Sequence, residues 1–409
     1  MNKNKKIVAM VIMVFALISS LFCFPQMVSA EVTSEFYTED ILKNFDAGSV
    51  SVGSSGALDI NAKSVVLMEP NTKQVLYSKN ENEKLSPASI TKIMSLLLVM
   101  EAMENEKIAL DTKVQTSEHA ASMGGSQIWL EVGETMTVDE LLRAAVIASA
   151  NDATVALAEA VAGSEESFVV LMNERAKQLG MKNTHFVNAC GLDAEEHLTS
   201  GLDVAIMASE LIKHDLIKKY STVWMDALRD GKSELVNTNK LVRYYNGATG
   251  LKTGTTSKAG CCVAATAERD GMELVAIVMG SNNSNDRFAG AKKLLDYGFA
   301  NWSFTSLEVD LSNYQSIEVN KGMADSIIPE VTRTFDVLLE KGNQDKVTQK
   351  IDLPTELDAP VITGDKIGIA TFMLGDKKLG EVPILSANTV EKATFLNAFT
   401  LLLQSALMP

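Results

Sequence analysis

Cysteine, histidine and proline are all scarce in this chain: 4, 4 and 8 in 409 residues. Too few cysteines exist for a disulfide-stapled scaffold. The histidines, His119, His185, His197 and His214, form no His-x-x-x-His pair and no His-Glu-x-x-His, which removes the usual zinc hydrolases; no metal and no cofactor is expected. No Gly-x-Ser-x-Gly occurs, so the common Ser-His-Asp hydrolase signature is missing too. Basic charge is short, 37 Lys and Arg against 52 Asp and Glu, and the net −15 argues against a nucleic-acid partner. With 46% hydrophobic residues the chain can still build a large core, and its length suggests two or three domains.

What is present begins with a targeting segment. Lys3, Lys5 and Lys6 precede an apolar run from Ile7 to Phe24, and Val28-Ser29-Ala30 offers a small-residue cleavage site before Glu31. Residues 1–30 therefore read as a signal peptide, with an uncleaved anchor as the competing reading. The mature protein is expected outside the cytoplasm. Cys23 leaves with the signal, and Cys190, Cys261 and Cys262 read as small buried residues. Residues 31–56 are polar, end in a Gly/Ser-rich stretch from Asp46 to Gly56, and read as a linker.

From 57 to 302 strand and helix signals alternate. Ser64 to Glu69 and Gln74 to Tyr77 flank a turn and predict a hairpin. Ser86-Pro87 predicts a helix start, with Ser86 as N-cap. Thr137 to Glu140 is a capping box, and Gly163 and Gly180 close two helices, over 153–162 and 165–179. Strands are expected at Leu251–Thr255, Cys262–Ala267 and Glu273–Met279, and a helix over Arg287–Gly298. The result is an α/β (α+β) domain, an antiparallel sheet covered by helices. Residues 303–387 show short alternating stretches and read as a small all-β domain. Residues 388–409 pattern as an amphipathic helix, with Thr394, Asn397, Thr400 and Gln404 on one stripe and Phe395, Leu396, Phe399 and Leu403 elsewhere.

Three short motifs carry chemistry. Ser89 is the only serine followed three residues later by a lysine, Lys92, and on a helical turn the two share a face. A lysine can act as a base only where burial or another cation lowers its pKa. Lys252-Thr253-Gly254, the only such tripeptide, supplies that cation from a strand whose glycine lets a ligand approach closely. Ser149-Ala150-Asn151 falls between two helices, where a turn can aim a hydroxyl and an amide into a cleft.

In this order the three form the known signature of class A β-lactamases and penicillin-binding proteins. The chain resembles the low-molecular-mass penicillin-binding proteins that are D-alanyl-D-alanine carboxypeptidases. The resemblance extends through Met123-Gly124-Gly125-Ser126, Ser149 to Asp152, Thr184 to Asn188 with Gly191-Leu192, His197 to Ala205, Gly250 to Cys261, Arg287, Leu294-Leu295 and Tyr297 to Phe299. Cys190 and Gly201 depart from the usual pattern. The resemblance implies a penicillin-binding/β-lactamase-like transpeptidase fold and a serine acyl-transfer mechanism on peptidoglycan stem peptides ending in D-Ala-D-Ala. It implies that Ser89 is the nucleophile, Lys92 its base and Ser149 a proton relay. Asn151 would hold the substrate amide, and Lys252, Thr253 and Arg287 would bind the terminal carboxylate. Gly254 would leave room beside them, and the N–H groups of Ser89 and Thr255 would form the oxyanion hole. β-Lactams are then covalent inhibitors, and residues 388–409 are a membrane-surface anchor on the outer face of the cytoplasmic membrane or in the cell-wall space. The rivals are a β-lactamase, for which no Glu-x-x-Asn follows Ser149 in the expected stretch, and a non-catalytic peptidoglycan sensor.

Overall fold

The computed structural model describes residues 58–395, Asn397 and Phe399. The expected signal peptide (1–30) and linker (31–56) lie outside the described residues, as does most of the expected terminal helix.

Five strands make one antiparallel sheet: β1 (Ser64–Met68), β2 (Val75–Lys79), β3 (Ala248–Thr256), β4 (Gly260–Arg269) and β5 (Met272–Ser281), in the order β2-β1-β5-β4-β3. Alternation along β1 divides its side chains between two cores, because successive Cβ atoms leave opposite faces of a strand. Val65 and Leu67 pack with Leu294 and Leu295 of α5 (Ser284–Asn301). Val66 and Met68 face a larger helical layer instead. That layer holds α1 (Lys92–Glu104), α2 (Asn151–Ala162), α3 (Glu165–Gln178) and α4 (Gly201–Leu211). Helix α1 runs through its middle with ten of thirteen residues buried, so it shows no amphipathic stripe.

Local chemistry sets several boundaries as expected. Thr137 and Glu140 exchange the two bonds of a capping box, and Gly163 ends α2 at φ +84°. The start of α1 differs. Ser86 caps nothing; Pro87 leads into a single 3₁₀ turn, Ala88–Thr91, and the α-helix begins only at Lys92. The reason is Ala88, whose φ of +48° breaks the helical path that a Ser-Pro start would have continued. Ser89 thus sits on a tight turn ahead of the helix.

Beyond α5 the described residues up to Lys392 are β-rich, with a single 3₁₀ turn at Gln344–Lys346. β6 (Trp302–Leu307) pairs with β7 (Phe335–Glu340), and β8 (Val347–Asp352), β9 (Lys366–Leu374) and β10 (Lys377–Ser386) form consecutive antiparallel neighbours. The module continues past 387. Val390 exchanges backbone bonds with Val361, and Ala393 N–H donates to Lys321 O. Among the described residues no helix is long and apolar enough to cross a membrane.

Candidate active site

The turn Ala88–Thr91, the N-terminus of α1, the loop before α2 and the edge strand β3 converge at one place. Lys92 is fully buried, and its ammonium donates to Ser89 Oγ (3.0 Å), Asn151 Oδ1 (2.6 Å) and Cys190 O (2.8 Å). Three donors meet three acceptors, none of them ionised. Burial without a bonded carboxylate lowers the Lys92 pKa to about 8, partly opposed by the Coulomb pull of nearby groups such as Asp152. About a quarter of such a group is neutral at pH 7.5.

Ser149 ends the helical turn before α2 in the left-handed region, φ +62°, and its hydroxyl accepts from Lys252 Nζ at 2.7 Å. Lys252 also donates to Thr253 O and is 1% exposed. Its pKa is held well below the usual lysine value, first by burial and then by repulsion from Lys92 and Arg287. Asn151 is committed at both ends of its amide, to Lys92 through Oδ1 and to Gly124 O through Nδ2 (2.6 Å).

Two glycines permit the closeness. A Cβ on Gly254 would stand 2.9 Å from Ser89 N, so β3 lies against the serine turn with no room for a side chain. A Cβ on Gly191 would stand 1.9 Å from Ala88 O. Behind β3, Arg287 is 8% exposed and donates to Gly254 O (3.1 Å), Thr255 Oγ1 (2.9 Å) and Cys262 O (3.3 Å). It therefore braces the strand and aims the Thr255 hydroxyl, and it is no surface residue of a helix start.

Sequence reasoning missed the framework. Asn188 Oδ1 accepts from Gly191 N–H (2.7 Å) and Leu192 N–H (3.1 Å), fixing the loop that presents Cys190 O to Lys92. Thr238 Oγ1 accepts from Thr253 Oγ1 at 2.7 Å. Backbone carbonyls have no sequence signature, but Asn188 and Gly191 are turn formers with one loop residue pair between them, a signal that was readable. Among the described residues no cluster of His, Cys, Asp and Glu could hold a metal.

A serine on a tight turn, hydrogen-bonded to a buried lysine of lowered pKa and flanked by a second serine–lysine pair, defines the active-site serine acyl-transfer class on the penicillin-binding fold. The comparisons give the particular family. Residues 51–283 match the D-alanyl-D-alanine carboxypeptidase family, and residues 310–392 match the C-terminal domain of penicillin-binding protein 5. The chain is 43% identical over 339 residues to the D-alanyl-D-alanine carboxypeptidase DacF of Bacillus subtilis, covering 82% of this chain and 87% of the relative. It is 32% identical over 357 residues to DacC of Escherichia coli, covering 83% and 86%. Penicillin-binding protein 5 of Haemophilus influenzae superimposes with a TM-score of 0.70 at 30% identity, covering 83% of this chain and all of that one. Penicillin-binding protein D2 of Listeria monocytogenes in an ampicillin-bound form matches at 0.55 and 30%, covering 60% of this chain and all of that one. The chain belongs to the D-alanyl-D-alanine carboxypeptidase family, and the expected fold, with its all-β second domain, is the one observed.

Proposed function

We propose that this peptidase removes the terminal D-alanine of peptidoglycan stem peptides through a Ser89 acyl-enzyme. The observation that carries the reading is the 3.0 Å bond between Lys92 Nζ and Ser89 Oγ, with the lysine poised near neutrality by burial. In its neutral form Lys92 takes the proton as Ser89 attacks the carbonyl between the two D-alanines. Oxyanion charge then develops between the N–H groups of Ser89 and Thr255, which the bare Cα of Gly254 allows to approach. Ser149, bonded to Lys252, passes its proton to the leaving D-alanine amine and takes in return the proton that Lys92 received from Ser89. Water hydrolyses the ester, and the shortened stem departs.

Recognition of the terminal carboxylate follows from electrostatics. Lys92, Lys252 and Arg287 bond only neutral oxygens, so the site carries cationic charge without a bonded counter-ion. A carboxylate arriving beside Lys252, Thr253 and Thr255 supplies one. Arg287 acts through Thr255, whose hydroxyl it holds. Asn151 keeps Lys92 oriented, and its Nδ2 reaches substrate only by exchanging the Gly124 carbonyl. A β-lactam mimicking the dipeptide acylates the same serine. The test is D-alanine release from diacetyl-L-Lys-D-Ala-D-Ala by the mature protein and its Ser89→Ala variant. The variant is expected to lose about 10⁴-fold or more; release surviving in it defeats the assignment.

We further assign the protein to the outer face of the cytoplasmic membrane, held there by the segment after the β module. Phe395 is 87% and Phe399 48% exposed, and their rings stack 6.0 Å apart, an apolar pair without a protein core to enter. A chain ending at Ala393 is expected to leave the membrane fraction for the soluble one while keeping activity on the tripeptide. Persistence in the membrane fraction moves the anchor elsewhere.

A further inference from the structure

Trp129 combines two costly features. Its side chain is 76% exposed, and its backbone sits in the left-handed region at φ +59°, where a bulky residue is a genuine outlier. Such strain persists only where the surroundings enforce it, and here they do. The carboxylate of fully buried Asp152 accepts from the N–H groups on both sides, Ile128 (3.1 and 3.2 Å) and Leu130 (3.0 Å). Arg229 donates to Ile128 O (2.8 Å) and Trp129 O (3.4 Å), and is itself held by Glu134 at 2.7 and 3.0 Å. Ile128 and Leu130 are 5% and 4% exposed, so the flanks are buried while the indole between them is turned out. A glycine would relax the backbone and remove the exposed apolar ring. The fold keeps a tryptophan there and spends a buried carboxylate on holding it.

The position gives it a use. The same loop supplies Gly124 O and Ser126 O to Asn151, which in turn bonds Lys92. Trp129 is three residues from Ser126, hence within about 11 Å of that rim of the site. If the reacting D-alanine pair sits at Ser89, three further residues of an extended stem span about 10 Å. Its far end, where the stem joins a sugar, then reaches the rim.

We propose that Trp129 is a stacking platform for a pyranose ring of the glycan strand that bears the stem peptide. A sugar ring offers a flat C–H face with polar edges, and an exposed indole offers a broad apolar face with little rotamer entropy to lose. The assignment rests on the carboxypeptidase reading above and adds to it the part of the polymer that a free tripeptide lacks.

The experiment compares D-alanine release from diacetyl-L-Lys-D-Ala-D-Ala with release from isolated polymeric peptidoglycan, for the wild type, Trp129→Ala and Trp129→Phe. The ratio of kcat/KM on polymer to kcat/KM on tripeptide is expected to fall about tenfold in Trp129→Ala and to recover most of that in Trp129→Phe. Glycan strands stripped of peptide are expected to shift the tryptophan emission of the wild type and not that of Trp129→Phe. An unchanged ratio, or equal loss on both substrates, overturns the proposal. A wild type inactive on the tripeptide defeats the carboxypeptidase reading first, and this inference with it. The Trp129→Gly variant is expected to melt higher than wild type; a lower Tm shows that the tryptophan serves the fold and overturns the proposal as well.

Discussion

The catalytic region and the β-rich module treat charge in opposite ways. The first buries Lys92 and Lys252 at the serine turn, Asp152 and Arg287 in the two helices that support it, and Glu69 and Asp203 away from it, all at 0–8% exposure. The module, among its described residues, buries no charged side chain, and Ser386 is its one buried polar residue. Its core is aliphatic, built from residues such as Ile317, Ile327, Ala370 and Ile384. A desolvated ion costs several kcal/mol unless compensated, so a region holding three cations on neutral acceptors has given up stability for reactivity. The module shows what the same chain does where no chemistry is required.

Removing a buried cation should break that contrast most sharply. Lys252→Met keeps the volume and deletes a charge that Lys92 and Arg287 both repel. D-Alanine release is expected to fall about 10³-fold, since both the carboxylate site and the Ser149 relay lose their cation. The Tm, followed by calorimetry, is expected to rise by a few degrees, because a buried charge without a bonded counter-ion is replaced by an apolar chain. A fall in Tm would place Lys252 among ordinary structural residues and remove the trade from this account.

How much of this was legible beforehand depended on where the information resides. Side-chain motifs with strict spacing were readable: Ser89 and Lys92, Ser149 and Asn151, and Lys252 to Gly254 do meet in space. Caps and the first hairpin were readable as well, because Thr137, Glu140 and Gly163 each satisfy a local backbone requirement and β1 and β2 pair as expected. The start of α1 was misread since nothing in Ser86-Pro87-Ala88 announces a left-handed alanine; tertiary contact with Gly191 sets it. Arg287 was expected at the carboxylate, and the bonds that tie it to Gly254 O, Thr255 Oγ1 and Cys262 O depend on the packing of α5 on the sheet, which no local motif announces. The module's end was placed at 387, yet Val390 completes a pairing with Val361 that a change of hydrophobic period hides.

A smaller effect sharpens the comparison through pH. His197 is 2% exposed, its Nδ1 accepts from Val187 N–H (2.9 Å), and its Nε2 faces Thr91 Oγ1 (2.8 Å), two residues from Ser89. Burial, aided by repulsion from His185, lowers its pKa to about 4, and a proton on Nδ1 would also oppose the Val187 donor. The unfolded chain takes up that proton near pH 6.5 and the folded one only near 4. The stability from this group is therefore full above pH 6.5 and is lost as pH falls toward 4, by about 3 kcal/mol in all. A His197→Gln variant is expected to show a flatter Tm against pH between 6.5 and 4, at a lower starting Tm. Identical slopes would mean that other groups govern acid unfolding.

The smallest effect belongs to the module and supplies the other end of the comparison. Lys321 and Asp358 pair at 2.9 Å with 66% and 62% of their side chains exposed. An ion pair in open water gains little Coulomb energy, loses side-chain entropy and is screened by salt, so its worth is below about 0.5 kcal/mol. A double-mutant cycle with Lys321→Ala and Asp358→Ala is expected to give a coupling under that value, vanishing in high salt, with no change in D-alanine release. The loop carrying Lys321 also takes the Ala393 N–H on Lys321 O, a backbone bond that the substitutions leave intact. A coupling of several kcal/mol would mean that the module, too, stores electrostatic energy in a specific pair. The division of labour between a charged, reactive domain and an electrostatically indifferent one would then fail.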